Sequence, residues 1–180
     1  ACACWYVFAP RANVADVSVT AFGPLYTSLT FASIIFIRKY DPGMTGALLT
    51  LGVMLSMWVN DTFAYLVGSA IGSHKLAPRI SPAKSVEGFL GGLVGSVLVW
   101  VLLSVFVLES LTALSAVLFG LVVGIAAVIG DLFESRLKRG ASVKDSGNVL
   151  PGHGGLLDRS DSMLFGGMAA LFLLYFGGIL

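Results

Sequence analysis

The chain has 180 residues, of which 57% are hydrophobic and only 12% charged, with a net charge of +1. A soluble domain carries roughly 25% charged residues, so this chain lacks the side chains to cover a water-facing surface. That excludes an ordinary soluble domain, a disordered tail and a nucleic-acid binder with a basic face, and it leaves a membrane protein.

Residues 1–9 read as the tail of an earlier span, closed by Pro10. Cys2 and Cys4 within it read as small apolar residues, since no partner for a Cys-x-Cys metal site is near. No basic stretch precedes them, so no signal peptide is read and the chain is expected to start inside a longer protein. Five apolar runs follow, over residues 17–37, 44–71, 86–108, 111–130 and 163–180. Each is near the ~20 residues that a bilayer core requires. Continuous apolarity without strict alternation predicts helices rather than a membrane barrel. The expected fold is therefore all-α: a polytopic transmembrane helical bundle of about five spans, forming a single domain over residues 1–180 with a functional cytoplasmic loop.

Five spans place the connections alternately on two sides. One side receives 10–16, 72–85 and 131–162 and holds nine basic residues: Arg11, Lys75, Arg79, Lys84, Arg136, Lys138, Arg139, Lys144 and Arg159. The other side receives 38–43 and 109–110 and holds two, Arg38 and Lys39. The positive-inside rule places the first side in the cytoplasm. Small-xxx-small spacings at Gly68/Gly72, Gly88/Gly92, Gly91/Gly95 and Gly120/Gly124 favour close helix packing, either within the chain or across a homodimer.

Residues 131–161 hold ten of the 21 charged residues. If the preceding helix continues, Asp131, Glu134, Ser135 and Lys138 share one face by i, i+3, i+4, i+7 spacing. Asp158 and Asp161 stand i, i+3 at the entrance of the last span. An acid at a helix start can simply complement the dipole. That does not account for a second acid with Lys138, Arg139 and Lys144 beside it. Carboxylates next to clustered lysine and arginine suit a divalent cation bridging a polyphosphate. Between them, Leu150-Pro151-Gly152-His153-Gly154-Gly155 reads as a tight turn whose backbone N–H groups approach an anion. Asp61 interrupts an apolar run, and acids inside membrane spans are functional candidates by default. Lys75, Arg79 and Lys84 lie on the same side as the 131–161 cluster. His74 has no local metal partner and reads as a loop residue.

The run Ser135-x-Leu137-Lys138-Arg139-x4-Lys144-Asp145-x-Gly147-x2-Leu150-Pro151-x-His153-Gly154-Gly155-x2-Asp158-Arg159-x-Asp161 resembles the signature of phosphatidate cytidylyltransferases, the CDP-diacylglycerol synthases. The Asp61 region and the run Lys75-Leu76-Ala77-Pro78-Arg79-Ile80-Ser81-Pro82-x-Lys84-Ser85-x-Glu87-Gly88 are also similar to that family. The resemblance covers about residues 44–180. Ser160, where the signature is usually apolar, and Phe63, where the family often has glycine, depart from it. The chain is expected to be the C-terminal two-thirds of such a protein, lacking N-terminal spans.

The resemblance implies that phosphatidic acid attacks the α-phosphorus of CTP, giving CDP-diacylglycerol and pyrophosphate for phospholipid synthesis. It implies Mg²⁺ and a possible second cation. Asp131 and Asp158 would be metal ligands, with Asp161 and Asp61 in support. Lys138, Arg139 and Lys144 would hold phosphates. His153, Gly154 and Gly155 would shape the nucleotide loop, Arg159 would bind substrate, and Lys75, Arg79 and Lys84 would contact CTP or the lipid phosphate. The partners would be CTP, phosphatidic acid and membrane lipid, with no nucleic acid. The active site would face the cytoplasm, at the inner membrane if the source is bacterial. Two other readings stay open: a CTP-dependent enzyme acting on an ether-lipid phosphate or a polyprenol, and a transporter using Asp61 and Asp131 as ion sites.

Overall fold

The structure is a computed structural model that describes residues 2–8, 13–143, 145–147, 155 and 157–179. In chain order it places α1 (Cys2–Phe8), α2 (Val14–Tyr40), α3 (Met44–Ile71), β1 (Lys75–Ala77), β2 (Ser81–Ser85), α4 (Val86–Phe106), α5 (Ala113–Gly140), a 3₁₀ turn (Leu157–Arg159) and α6 (Asp161–Phe176). Among the described residues, α2 to α5 are long and apolar enough to cross a membrane. The last apolar run forms the shorter α6, of 16 residues, which the Gly177-Gly178 pair ends. Gly178 sits at φ +69°, a conformation open to glycine. The chain is thus built as a membrane protein, with four long helices and one short one standing for the five expected runs.

Local chemistry sets the helix ends. Asn13 and Asp16 form a reciprocal capping box at the start of α2, at 3.0 and 2.9 Å. At its other end the Arg38 guanidinium donates to the Asp41 and Pro42 carbonyls, at 2.7 and 3.1 Å, and holds the turn into α3. α5 continues ten residues past the run expected at 111–130 and ends at Gly140. Residues 131–140 are mostly good helix formers, and Lys138 and Arg139 suit the negative end of the dipole. The connection to α6 is shortened accordingly. Its first turn is a Schellman cap: Ser142 N–H donates to the Arg139 carbonyl at 3.1 Å and Val143 N–H to the Lys138 carbonyl at 3.0 Å. Ser142 takes the left-handed position at φ 57°.

Residues 72–85, expected to be a plain connection, contain an antiparallel hairpin with Lys75 opposite Ser85 and Ala77 opposite Ser81. Pro78 opens its turn and Pro82 breaks the ladder, so the pattern of alternation that announces a strand is missing.

α4 shows how the bundle is sided. Leu90, Val94, Leu98, Leu102 and Val105 form an exposed apolar stripe, while Gly88, Gly92, Gly95, Ser96 and Trp100 face inward. Large side chains outside and small ones inside is the arrangement expected in lipid, where close backbone packing replaces a hydrophobic drive between helices. A Cβ on Gly88 would lie 2.6 Å from the Ala64 carbonyl oxygen, so α3 and α4 approach to backbone contact there. All four small-residue pairs include glycines that pack against helices or loops of the same chain. Trp100 fills the centre, edge-on to Phe119 at 5.4 Å.

Candidate active site

Two groups of side chains gather at the end of the bundle where the hairpin and the C-terminal turn of α5 lie. The first surrounds a cavity of about 310 Å³. Asp61 from α3, Lys84 from β2 and Asp131 from α5 supply its charge; Tyr65, Phe89 and Val128 supply apolar wall. The Lys84 ammonium bonds Asp131 Oδ2, and the Ser135 hydroxyl donates to Asp131 Oδ1 at 3.3 Å. That bond ties the hairpin to α5. The Ser162 hydroxyl donates to Asp61 Oδ2 at 2.9 Å, and Ser162 N–H donates to Asp161 Oδ1 at 2.8 Å, so the start of α6 closes against the same acids. α6 fits there because residue 130 is glycine: a Cβ would stand 2.7 Å from the Asp161 carbonyl.

The second group centres on Asp158. Its Oδ1 accepts from Lys138 Nζ at 2.6 Å. Its Oδ2 accepts from the Ser146 N–H and hydroxyl, both at 2.8 Å, and from Gly155 N–H at 2.7 Å. Burial opposes ionisation of this carboxyl. The Lys138 ammonium and the N–H groups of Gly155 and Ser146 outweigh it and hold Asp158 well below the usual carboxylate range. Glu134 lies behind the pair, its Oε1 3.4 Å from Lys138 Nζ.

The structure brings Asp61, Lys84 and Asp131 to one cavity and sets Asp161 beside them. Lys138, Asp158 and Gly155 form the second group. Lys75 and Arg79 are exposed on the hairpin and do not line the cavity. Arg139 is exposed and donates to the Val143 carbonyl at 3.3 Å. Lys144, His153, Gly154 and the Arg159 side chain lie outside the described residues. His74 pairs with Glu87 at 2.6 Å, and the same carboxylate accepts from the Ser73 and His74 N–H groups. The pair closes the base of the hairpin. Glu134, Ser146 and Ser162 were not singled out from sequence as site residues. Glu134 had a signal in its i, i+3 and i, i+4 spacing to Asp131 and Lys138; Ser162 had none, standing 101 residues from Asp61.

A model of the Cytidylyltransferase family matches residues 1–177. The chain belongs to that family. The match reaches further toward the N-terminus than the resemblance visible in the motifs, which fades before residue 44. Among curated proteins the chain is similar to the phosphatidate cytidylyltransferase of Staphylococcus saprophyticus, 41% identical over 138 residues, which are 77% of this chain and 53% of that one. It is similar to the enzyme of that name from Staphylococcus haemolyticus, at 43% over 138 residues with the same shares. The protein of that name from Thermotoga maritima is 42% identical over 155 residues, 82% of this chain and 56% of the other. The chain therefore spans about half the length of the curated relatives it matches.

Proposed function

We propose that this chain carries the catalytic part of an integral-membrane nucleotidyltransferase that joins CTP to phosphatidic acid. A phosphate oxygen of the lipid forms a bond to the α-phosphorus of CTP, the bond from that phosphorus to the bridging oxygen breaks, and pyrophosphate leaves with the electron pair. The observation that carries the reading is the cavity, where Asp61, Asp131 and Lys84 stand against Phe89 and Val128. One wall suits a charged headgroup and the other suits acyl chains. The names of the relatives supply the substrates.

The lipid phosphate is already an anion, so the reaction needs little base catalysis. It needs two polyanions held in line, which is a matter of positioning and charge. Lys84 would meet a phosphate entering the cavity, and Lys138 with the Ser146 and Gly155 N–H groups would meet a second. Arg139 and Lys144 belong to this reading as phosphate-holding cations, His153 and Gly154 as nucleotide-loop residues, Arg159 as a substrate-binding residue, and Lys75 and Arg79 as cations at the mouth.

Mg²⁺ is part of the proposal. Among the described residues no three carboxylate, imidazole or thiol side chains converge on one point. Mg²⁺ that takes one or two protein carboxylates and draws its other ligands from phosphate and water needs no such triad. Asp131 and Asp61 fit it as hard oxygen donors on one cavity, with Asp161 adjacent. Asp158 would join them only by releasing one of its four donors. The ion would supply neutralisation of phosphate charge. The excess of basic residues at this end, together with bacterial relatives, supports an orientation toward the cytoplasm at the inner membrane. A homodimer is also proposed, using lipid-exposed faces, since the glycine stripes are occupied within the chain.

The deciding experiment is release of pyrophosphate from CTP and phosphatidic acid by the detergent-solubilised full chain, with Mg²⁺ and with chelator. CDP as the product, or turnover with a polyprenol alone, would replace the transferase by a kinase.

A further inference from the structure

Glu134 is 1% exposed, and among the described residues the polar groups that face it are the Lys138 ammonium, 3.4 Å from its Oε1, and the Asp161 carboxyl. The Glu134 charge is felt by Tyr26, whose ring lies 5.4 Å from that of Phe133. A carboxylate at such depth is costly unless a charge compensates it. The compensating charge is Lys138, one turn along α5 and itself 16% exposed. An ordinary i, i+4 pair on a solvated helix face is held loosely and contributes little. This one differs because the acid is buried and the lysine is shared. Lys138 Nζ lies 3.4 Å from Glu134 and 2.6 Å from Asp158.

A lysine stem is flexible and left alone would turn its ammonium to water. The buried charge of Glu134 draws that ammonium inward, to the place where Asp158 meets it. Asp158 in turn gathers the N–H groups of Ser146 and Gly155. We propose that Glu134 is a positioning residue: through Lys138 and Asp158 it fixes Ser146 and Gly155 against α5. Glu134 itself touches no substrate. The consequence for catalysis rests on the cytidylyltransferase reading above; the mechanical part does not.

The test uses Glu134→Gln, Glu134→Asp, Lys138→Met and the double variant Glu134→Gln/Lys138→Met, each as the full chain in detergent. Amide exchange at Ser146 and Gly155 is followed alongside KM and kcat for CTP. Glu134→Gln should speed exchange at both amides about tenfold, and KM for CTP should rise more than kcat falls. Glu134→Asp keeps the charge and should stay within about threefold of the parent. The double variant should exchange no faster than Lys138→Met, because the acid acts only through the lysine. Unchanged exchange in Glu134→Gln overturns the proposal. So does a double variant whose effect is the product of the two single ones, or Glu134→Asp behaving like Glu134→Gln. The exchange readout decides the clamp even in a protein that turns over no CTP, so its failure is distinct from failure of the assigned reaction.

Discussion

The cavity group and the Asp158 group use the same residue types to opposite ends. Asp61 and Asp131 stand on helix walls, accept one and two described bonds, and face open space. Asp158 stands on a 3₁₀ turn and accepts four, three of them from a loop. Acceptor capacity left over makes a carboxylate available to a ligand; capacity used up makes it an organiser of backbone. A list of acids in the sequence does not separate the two roles.

The largest expected effect is on the open side. Asp131→Asn should cut pyrophosphate release on the order of 10³-fold while leaving the protein inserted, because it removes the anion that pairs with Lys84 and that the proposed Mg²⁺ would share. Activity within tenfold of the parent would mean that the cavity acids do not touch the reaction. On the closed side, Asp158→Asn should cost less in the chemical step and more in order, with a loss of about 100-fold and faster exchange at Ser146 and Gly155. Equal exchange would collapse the distinction between the two groups.

The closed group also has a pH signature. The folded carboxyl of Asp158 is held below its unfolded value, so its contribution is complete above the unfolded pKa of about 4 and is lost only as pH falls toward the folded one. After correction for intrinsic rates, the part of the protection at Ser146 and Gly155 that Asp158 supplies should weaken in acid below about pH 4. Loss of protection near neutrality would point to another group as the anchor.

Two smaller changes test the supports. Gly88→Ala puts a methyl 2.6 Å from the Ala64 carbonyl on the cavity's wall and should destabilise the protein by about 1–3 kcal/mol, read as a lower Tm in detergent. Ser142→Gly relieves a left-handed serine at the entrance to the loop and should stabilise it by about 1 kcal/mol, without altering cavity chemistry. A Tm that does not rise would show that the cap is not strained.

Much of this was legible in sequence because membrane helices carry their own signals. The apolar runs locate α2 to α5, and the i, i+3, i+4, i+7 spacing of Asp131, Glu134, Ser135 and Lys138 anticipates the extension of α5. The hairpin at 75–85 was not, since two strands of three and five residues broken by prolines have no periodicity to read. Nor was the filling of Asp158, because two of its donors are backbone N–H groups, which every residue but proline has. The Ser162 bond to Asp61 depends on the glycine that lets α6 approach α5, which is a property of packing and not of any local pattern.

The length of α3 and α5 acts as a ruler for depth. Each has 28 residues, or roughly 42 Å at 1.5 Å per residue. A hydrocarbon core of about 30 Å leaves roughly 12 Å of each helix beyond it. Counted from the far turns, where Asp41 and Glu109 mark the opposite boundary, Asp61 and Asp131 lie 17 and 18 residues along their helices, which is roughly 26 and 27 Å. Both acids therefore stand at one height, about 3–4 Å short of the full thickness of a hydrocarbon core of about 30 Å. On the proposed reaction, a headgroup arriving sideways from the bilayer would meet both acids at one level, and a nucleotide would reach them from the water above.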